Sequence, residues 1–310
     1  MRGSSEVQVR AAVEGDYPEY CRLFPELGVD DPVPPRELWV NLLMPMTLVA
    51  VPARSTGVPT NSVPSANSEP GPDCILGYCF FGVLTDCGYI RNLVVAPEVR
   101  RRGVGRALMQ AMASYLLAHG KSSWCLNVKS DNQAAIKLYG ACGMRIRYRS
   151  WALKLPWSAL SSLRDAELVH GNSTDPHAAI VVRVSPLPLE HEAEYEARLD
   201  LPRGLIAEGR ASGRLLLEAR GWSDDPKLDT SGGVALGLAI LNPKMPGAFP
   251  FRVLHACAAL PLLERIRSQV PESAMLNLVV EEDRSTCERL LSAGAQLKFD
   301  MVHLAGALAR

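Results

Sequence analysis

The run Arg100-Arg101-Arg102-Gly103-Val104-Gly105-Arg106 sets four arginines around two glycines. It follows a β-like run at 89–95 and the short turn Ala96-Pro97-Glu98, and it opens a helix-patterned segment at 107–119. A strand, a glycine-bearing turn and a helix start together make a backbone anion site. The first N–H groups of a helix lack internal partners, and the helix dipole places partial positive charge there. Gly103 and Gly105 let a diphosphate approach the main chain without meeting a Cβ. Arg100, Arg101, Arg102 and Arg106 add charge and bidentate contacts. The spacing Arg-x-x-Gly-x-Gly lacks the third glycine of a dinucleotide fingerprint and the Gly-Lys-Ser/Thr of a P-loop. Taken alone, it reads equally well as a basic solvated turn.

A second set of residues lies downstream. Residues 123–128 read as a buried strand. Ser130 or Asp131 can cap a following helix whose Ala135, Leu138 and Cys142 share one apolar face, and Gly143 is a natural stop. Asn132 and Tyr139 are seven residues apart, so they fall on one side of that helix, two turns from each other.

Three pieces now stand in order: Asn92-Leu93-Val94-Val95-Ala96-Pro97, the arginine-glycine turn, and Asn132-x-x-Ala135-x-x-Leu138-Tyr139-x-x-x-Gly143-Met144. Over residues 88–155 this set resembles the GNAT superfamily of acyl-CoA-dependent N-acyltransferases. The resemblance implies acetyl-CoA or another acyl-CoA as co-substrate, with its pyrophosphate on the amides of Arg101 to Arg106, Val104 included. It implies pantetheine pairing like an extra strand with Leu93, Val94 and Val95, where the fourth and fifth strands splay apart. A backbone N–H near Val94 or Val95 would face the developing oxyanion. Asn132 would touch the pantetheine arm, and Tyr139 would be the general acid for the leaving thiolate.

The general base is missing from its usual places. Residues 87–95 hold no carboxylate. Members of the family that act on ribosomal proteins carry glutamate where this chain has Asn127, which can hydrogen-bond but cannot accept a proton. Asp86, Glu26, Asp30, Asp31 and Glu98 remain as solvated alternatives. By family analogy residues 28–44 would cover the acceptor site. There Asp30 and Asp31 could draw a cationic amine and Trp39 could stack on an aromatic acceptor. The competing reading is an acidic capping turn and a core tryptophan, since large aromatics are usually buried. Arg91 either pairs an acidic acceptor or faces solvent.

Those residues need a scaffold, and the chain is long enough for two domains at 310 residues. Its 33 basic and 33 acidic residues cancel, which marks no nucleic-acid or anionic-membrane partner. No apolar run reaches the ~20 residues of a membrane span, and the first ten residues lack a signal-peptide core. Eight cysteines without a C-x-x-C, and few histidines, argue against a metal site. They suggest free thiols in a reducing cytoplasm. Oligomeric state is left open.

The expected organisation is a catalytic GNAT domain at 1–157, a linker at 158–178 and a degenerate GNAT-like domain at 179–310. The fold class is α/β (α+β), each domain a mixed, mostly antiparallel sheet flanked by helices. Residues 52–73, with several prolines and serines, read as loop. In the second half, 187–199, 251–269 and 283–293 read as helical, and 214–219, 234–242, 275–280 and 296–304 as strands. A shift of 151 sets Gly143 on Gly294, Asn132 on Asp283 and Tyr139 on Leu290, and sets Gly103 and Gly105 on Leu254 and Ala256. The echo suggests two fused copies, the second without phosphate turn or acid. The leading functional reading is an N-acyltransferase, chiefly acetyl, acting on an amine of a small molecule or peptide by direct transfer in a ternary complex. Its alternatives are a non-catalytic acyl-CoA-binding module and another acyl-CoA reaction on the same fold.

Overall fold

The computed structural model describes residues 7–29, 31–53, 74–170, 180–223, 233–244, 246–270 and 275–308. The chain forms two compact units that are not sequential halves. The first comprises Met1–Asn127, Ala134–Arg145 and Ala305–Arg310; the second comprises Val128–Gln133 and Ile146–Leu304. Residues 146–157 thus count with the second unit, and residues 305–308 return to the first, where Leu308 N–H donates to Ser122 O at 2.8 Å.

In chain order the first unit contains β1 (Val7–Ala11), α1 (Tyr17–Leu23), α2 (Arg36–Leu38), β2 (Thr47–Pro52), β3 (Gly77–Val83), β4 (Cys87–Val95), α3 (Val104–Ala118), β5 (Ser123–Lys129, through Asn127) and α4 (Gln133–Ala141, from Ala134). The sheet runs β1-β2-β3-β4-β5, antiparallel except for the parallel β4–β5 pair. Helix α3 forms because Val104, Leu108, Met109, Met112 and Leu116 recur on one face, and all five are buried. That face lies on the sheet: Met112 Sδ is 3.6 Å from Cys79 Sγ, and the Tyr115 ring packs edge-on to Phe81. A methyl at Gly88 would sit 2.3 Å from Leu116 Cδ1, so a side chain there would push the helix away from β4. Helix α1 tightens to a 3-10 turn over Phe24–Leu27, and α2 continues as a π turn over Trp39–Leu43. Gly143, with φ +86°, ends the α4 segment as expected, and Met144 N–H returns to Tyr139 O.

The second unit continues with β6 (Arg145–Leu155, from Ile146), α5 (Ala159–His170), β7 (Ile180–Pro186), α6 (Glu192–Arg198), α7 (Leu205–Ala211), β8 (Leu215–Ser223), β9 (Val234–Asn242), β10 (Gly247–Val253), α8 (Ala259–Arg267), β11 (Leu276–Glu281), α9 (Arg284–Ser292) and β12 (Gln296–Ala307, through Leu304). Its strand order is β12-β6-β11-β10-β9-β8-β7, with β10 and β11 parallel. Two expectations are corrected. Most of the described part of the supposed linker is helix α5, because Trp157, Leu160 and Leu163 recur three apart and are buried in the unit's core. The apolar run expected to be helical from 251 begins as strand: Phe251–Val253 belongs to β10, and the helix proper starts at Ala259. No helix among the described residues is long and apolar enough to cross a membrane.

Candidate active site

In the first unit, β4 and β5 pair from Cys87–Ser123 to Ile90–Leu126 and then separate. The separation coincides with a bulge on β4: Phe80 pairs Asn92 and Phe81 pairs Ile90, so Arg91 is the extra residue. Beyond it, β4 keeps β3 on one side and has lost β5 on the other. Ala96 N–H donates to Leu76 O, so by strand alternation Asn92 and Val94 spend their peptide groups on β3. Leu93 and Val95 turn theirs toward the open edge. This corrects one expectation: Val94 cannot offer its N–H to the fork, and its side chain is buried. Leu93 and Val95 provide the edge that an extended amide chain can join.

Past that edge the chain makes the turn. Arg101 and Gly103 both adopt left-handed backbone, with φ +66° and +91°, and Gly103 precedes the first turn of α3. The first N–H pointing back into the helix is that of Ala107, donated to Gly103 O. Val104, Gly105 and Arg106 therefore present amides without helical partners. No acidic residue stands in the first turn of α3. Arg101, Arg102 and Arg106 are exposed and make no ion pair among the described residues. Converging amides, a helix dipole and three uncompensated guanidiniums suit a diphosphate. The two glycines serve differently than expected. A Cβ at Gly103 would meet nothing within 4 Å, so that residue is required by conformation alone. A Cβ at Gly105 would lie 3.1 Å from Leu138 Cδ2 and 3.6 Å from Val95 Cγ2, so that residue allows α3, α4 and β4 to approach one another.

Arg100 differs from its neighbours. Its Nε donates to Val95 O at 3.1 Å, and its Nη2 pairs Glu26 Oε2 at 2.6 Å.

Tyr139 lies on α4 with only 5% of its surface exposed. Burial, and secondarily the Cys79 and Cys142 thiols, push its hydroxyl above the ordinary phenol range, so it holds its proton throughout the physiological range. Asn127 Nδ2 donates to Tyr89 Oη at 3.2 Å, and the Arg91 guanidinium lies 5.5 Å from the centre of the Tyr89 ring. This polar group is set where β4 and β5 part. Sequence reasoning had not joined Tyr89 to it; the signal is the strand register, which puts Tyr89 two residues from Arg91 and opposite Cys125.

The acceptor candidates divide. Trp39 is fully buried, 4.3 Å from the Tyr20 ring, and so is a core residue closed to an acceptor. Asp31 is exposed, and Asp30 lies outside the described residues. Asn132 directly precedes α4 and counts with the second unit; its N–H donates to Lys129 O. Among the described residues no cluster of three His, Cys, Asp or Glu side chains can hold a metal.

The second unit has a similar frame with different residues at the corresponding places. Helices α4 and α9 begin at Gln133 and Arg284, as the shift of 151 requires. The counterpart of α3 begins later, so Gly103 is matched by Ala258 and Gly105 by Leu260, rather than by Leu254 and Ala256. His255, Ala256 and Cys257 stand where Arg100, Arg101 and Arg102 do. Tyr139 is matched by Leu290, which is buried. Pairing of β10 with β11 continues to Phe251–Val280, leaving only Arg252 and Val253 beyond it on β10. Leu163 of α5 packs with Ala259, Leu260, Thr286, Arg289 and Leu290 around a small residual cavity at the corresponding place.

Comparison with known proteins agrees with this geometry. Residues 61–144 match the Acetyltransferase (GNAT) family. Over 61 residues the chain is 36% identical to [Ribosomal protein bS18]-alanine N-acetyltransferase of Escherichia coli (strain K12), covering 20% of this chain and 41% of that protein. The match thus spans less than half of that relative. Across nearly the whole chain the fold follows a GCN5-related N-acetyltransferase from Sphaerobacter thermophilus, with TM-score 0.56, 15% identity, and 98% and 96% of the two chains covered. It also follows a tandem GNAT protein from the clavulanic acid biosynthesis pathway, with TM-score 0.51, 16% identity, and 98% and 99% covered. The chain has the GNAT fold, in an architecture consistent with two GNAT-like domains fused in tandem.

Proposed function

We propose that this chain is an acyl-CoA-dependent N-acyltransferase, acetyl-CoA being the leading donor and an amine of a small molecule or peptide the acceptor. The observation that carries the reading is the continuity of the fork and the turn. The open edge of Leu93 and Val95 runs directly into the left-handed Arg101–Gly103 turn and the start of α3. An extended chain of amides ending in a diphosphate is the ligand shape that this combination supports. The amides of Val104 to Arg106, with Arg101, Arg102 and Arg106, would hold the diphosphate. Bound acyl-CoA would supply an activated thioester. Tyr139 keeps a proton at Oη and is the group placed on α4 to release it to a thiolate. The N–H of Leu93 or Val95 is the backbone donor available to an oxyanion.

No carboxylate lies on β4, and Asn127 donates to Tyr89 rather than accepting a proton. Acceptors that carry an already neutral amine therefore suit the site best, and proximity supplies much of the acceleration. The test is a panel of primary amines and N-terminal peptides with acetyl-CoA, followed by coenzyme release and product mass. Amine-dependent release with an acetylated product supports the reading. Tight coenzyme binding with no turnover on any amine would identify an acyl-CoA-binding module instead, and product formation on malonyl-CoA without an amine would identify another acyl-CoA reaction.

A further inference from the structure

We infer that Glu26 and Arg100 are positioning residues for the cofactor turn: Arg100 closes the turn onto the end of β4, and Glu26 holds it there. This rests on the acyl-CoA reading of the same site. Arg100 is the first residue of the Arg-x-x-Gly-x-Gly run and would pass for a phosphate ligand. Its side chain is already engaged on two sides. Nε caps Val95 O, the last β4 carbonyl facing the open edge, and Nη2 meets Glu26 Oε2. Capping that carbonyl removes a negative dipole from beside the diphosphate place. Arg101, Arg102 and Arg106 have no such engagement among the described residues.

The turn needs a tether. Arg101, a non-glycine residue, adopts φ +66°, and such a conformation persists only where neighbours over-determine it. The Arg100 clamp acts on the adjacent residue. A second, longer pair reinforces it with the opposite polarity: Arg22 Nη1 of α1 reaches Glu98 Oε1 at 3.5 Å, while Arg22 Nη2 donates to Ile75 O at 3.0 Å. Glu98 and Arg100 flank the turn's entry, and Arg22 and Glu26 stand one helical turn apart on the opposing segment. That segment ends at Gly28 and leads into residues 28–44. The element that by position borders the acceptor side is thereby tied to the cofactor turn.

The experiment measures two things on the full chain with Glu26→Gln, Glu26→Asp, Arg100→Gln and the double Gln variant. Hydrogen exchange of the apoprotein reads the amides of residues 101–103. Calorimetry reads the Kd of coenzyme A at low salt. Expected are faster turn exchange and a Kd raised about three- to fivefold in each single Gln variant, the scale of one partly exposed pair. The double variant should be no worse than either single, because the two act as one unit, and Glu26→Asp should recover most of the loss. Tighter coenzyme A binding in Glu26→Gln would show that Arg100 is a phosphate ligand held back by Glu26, and would overturn the inference. So would turn exchange unchanged in both single variants. A wild-type chain that binds no coenzyme A overturns the acyl-CoA reading instead, and the exchange measurement still decides the clamp.

Discussion

Substituting the two turn glycines one at a time separates conformation from packing. Gly103 sits at φ +91° and ψ −7°, with open space where a Cβ would project. Gly103→Ala therefore introduces no clash. Its whole effect is the left-handed penalty of an L-residue, about 1–2 kcal/mol. If the turn relaxes to escape that penalty, the diphosphate amides lose their convergence, and coenzyme A affinity should fall about five- to thirtyfold. Gly105 is different. It lies inside α3 without a positive φ, and an added Cβ meets Val95 and Leu93 at ordinary contact distance, 3.6 and 3.9 Å, while crowding the tip of Leu138 at 3.1 Å. Rotation of that side chain can absorb one methyl, and alanine favours the helix by about 1 kcal/mol over glycine. Gly105→Ala should thus change affinity by less than about threefold. Gly105→Val presses further on Leu138, next to Tyr139, and overpacking of this kind costs about 1–3 kcal/mol. It should lower kcat as well as affinity. The assay is calorimetric Kd for coenzyme A with thermal melts to confirm folding. A folded Gly103→Ala protein with wild-type affinity would refute the placement of the diphosphate, and equal losses in both alanine variants would refute the division of roles.

Further outcomes follow from the same geometry. Tyr139→Phe keeps the buried ring and removes the proton donor, so with the true acceptor kcat should fall by about 10²–10⁴ while KM moves little; a kcat that barely changes would make Tyr139 a packing residue. Calorimetry should give one acyl-CoA per chain, because Ala258, Leu260 and Leu290 replace Gly103, Gly105 and Tyr139; two equivalent sites would contradict this. With no carboxylate on β4, the apparent pKa of kcat/KM should track the acceptor amine across a series, whereas a value fixed near 6–7 would reveal a protein base. His303, 5% exposed and stacked on Tyr148, has its pKa lowered to about 4 by burial and then by Arg252 and Arg147. The unfolded chain takes up that proton near pH 6.5 and the folded chain does not, so stability present above that pH is lost as pH falls toward 4, by about 3 kcal/mol. Denaturation midpoints from pH 8 to 4.5 should show the decline, and His303→Phe should flatten it; an unchanged slope in that variant would remove His303 as the cause.

The parts of this site that the sequence revealed are local. Gly103, Gly105, Gly143 and the apolar face of α3 announce a turn, a helix start and a helix stop within a few residues, where backbone conformation and periodicity speak directly. The fork was legible only through family resemblance, because it depends on where β4 ceases to pair with β5, a matter of register between segments some thirty residues apart. The roles of Val94, Trp39 and Arg100 were obscured for related reasons. Which side of β4 a peptide faces is set by pairing with β3. Whether a tryptophan covers a site or fills a core is set by Tyr17 and Tyr20. Helix α5 resembled a linker because its serines and charges outnumber Leu160 and Leu163, which matter only once α8 and α9 are there to receive them.

The second unit shows how little change separates the proposed acyl-CoA site from a packed core. Its strands β7-β8-β9-β10-β11 repeat the order β1-β2-β3-β4-β5 of the first unit, with the parallel pair at the same place, and α8 and α9 take the positions of α3 and α4 in chain order. Pairing of β10 with β11 runs on past a bulge to Phe251–Val280, so the strand edge that Leu93 and Val95 leave open is largely closed there. Ala258 replaces a left-handed glycine and has right-handed backbone, with φ −82°, so the turn itself has changed shape and its amides no longer need converge. Leu260 and Leu290 bring apolar bulk to the places of Gly105 and Tyr139, and Leu163 of α5 comes down on them. Ala258, Leu260 and Leu290 are all buried, and each leucine side chain fully withdrawn from water is worth about 1.5–3 kcal/mol. The substitutions favour one another, since a helix can lie over the cleft only when nothing else has to enter it. Restoring glycines at Ala258 and Leu260 alone would therefore leave Leu163 in place, and by this argument would not recreate a site.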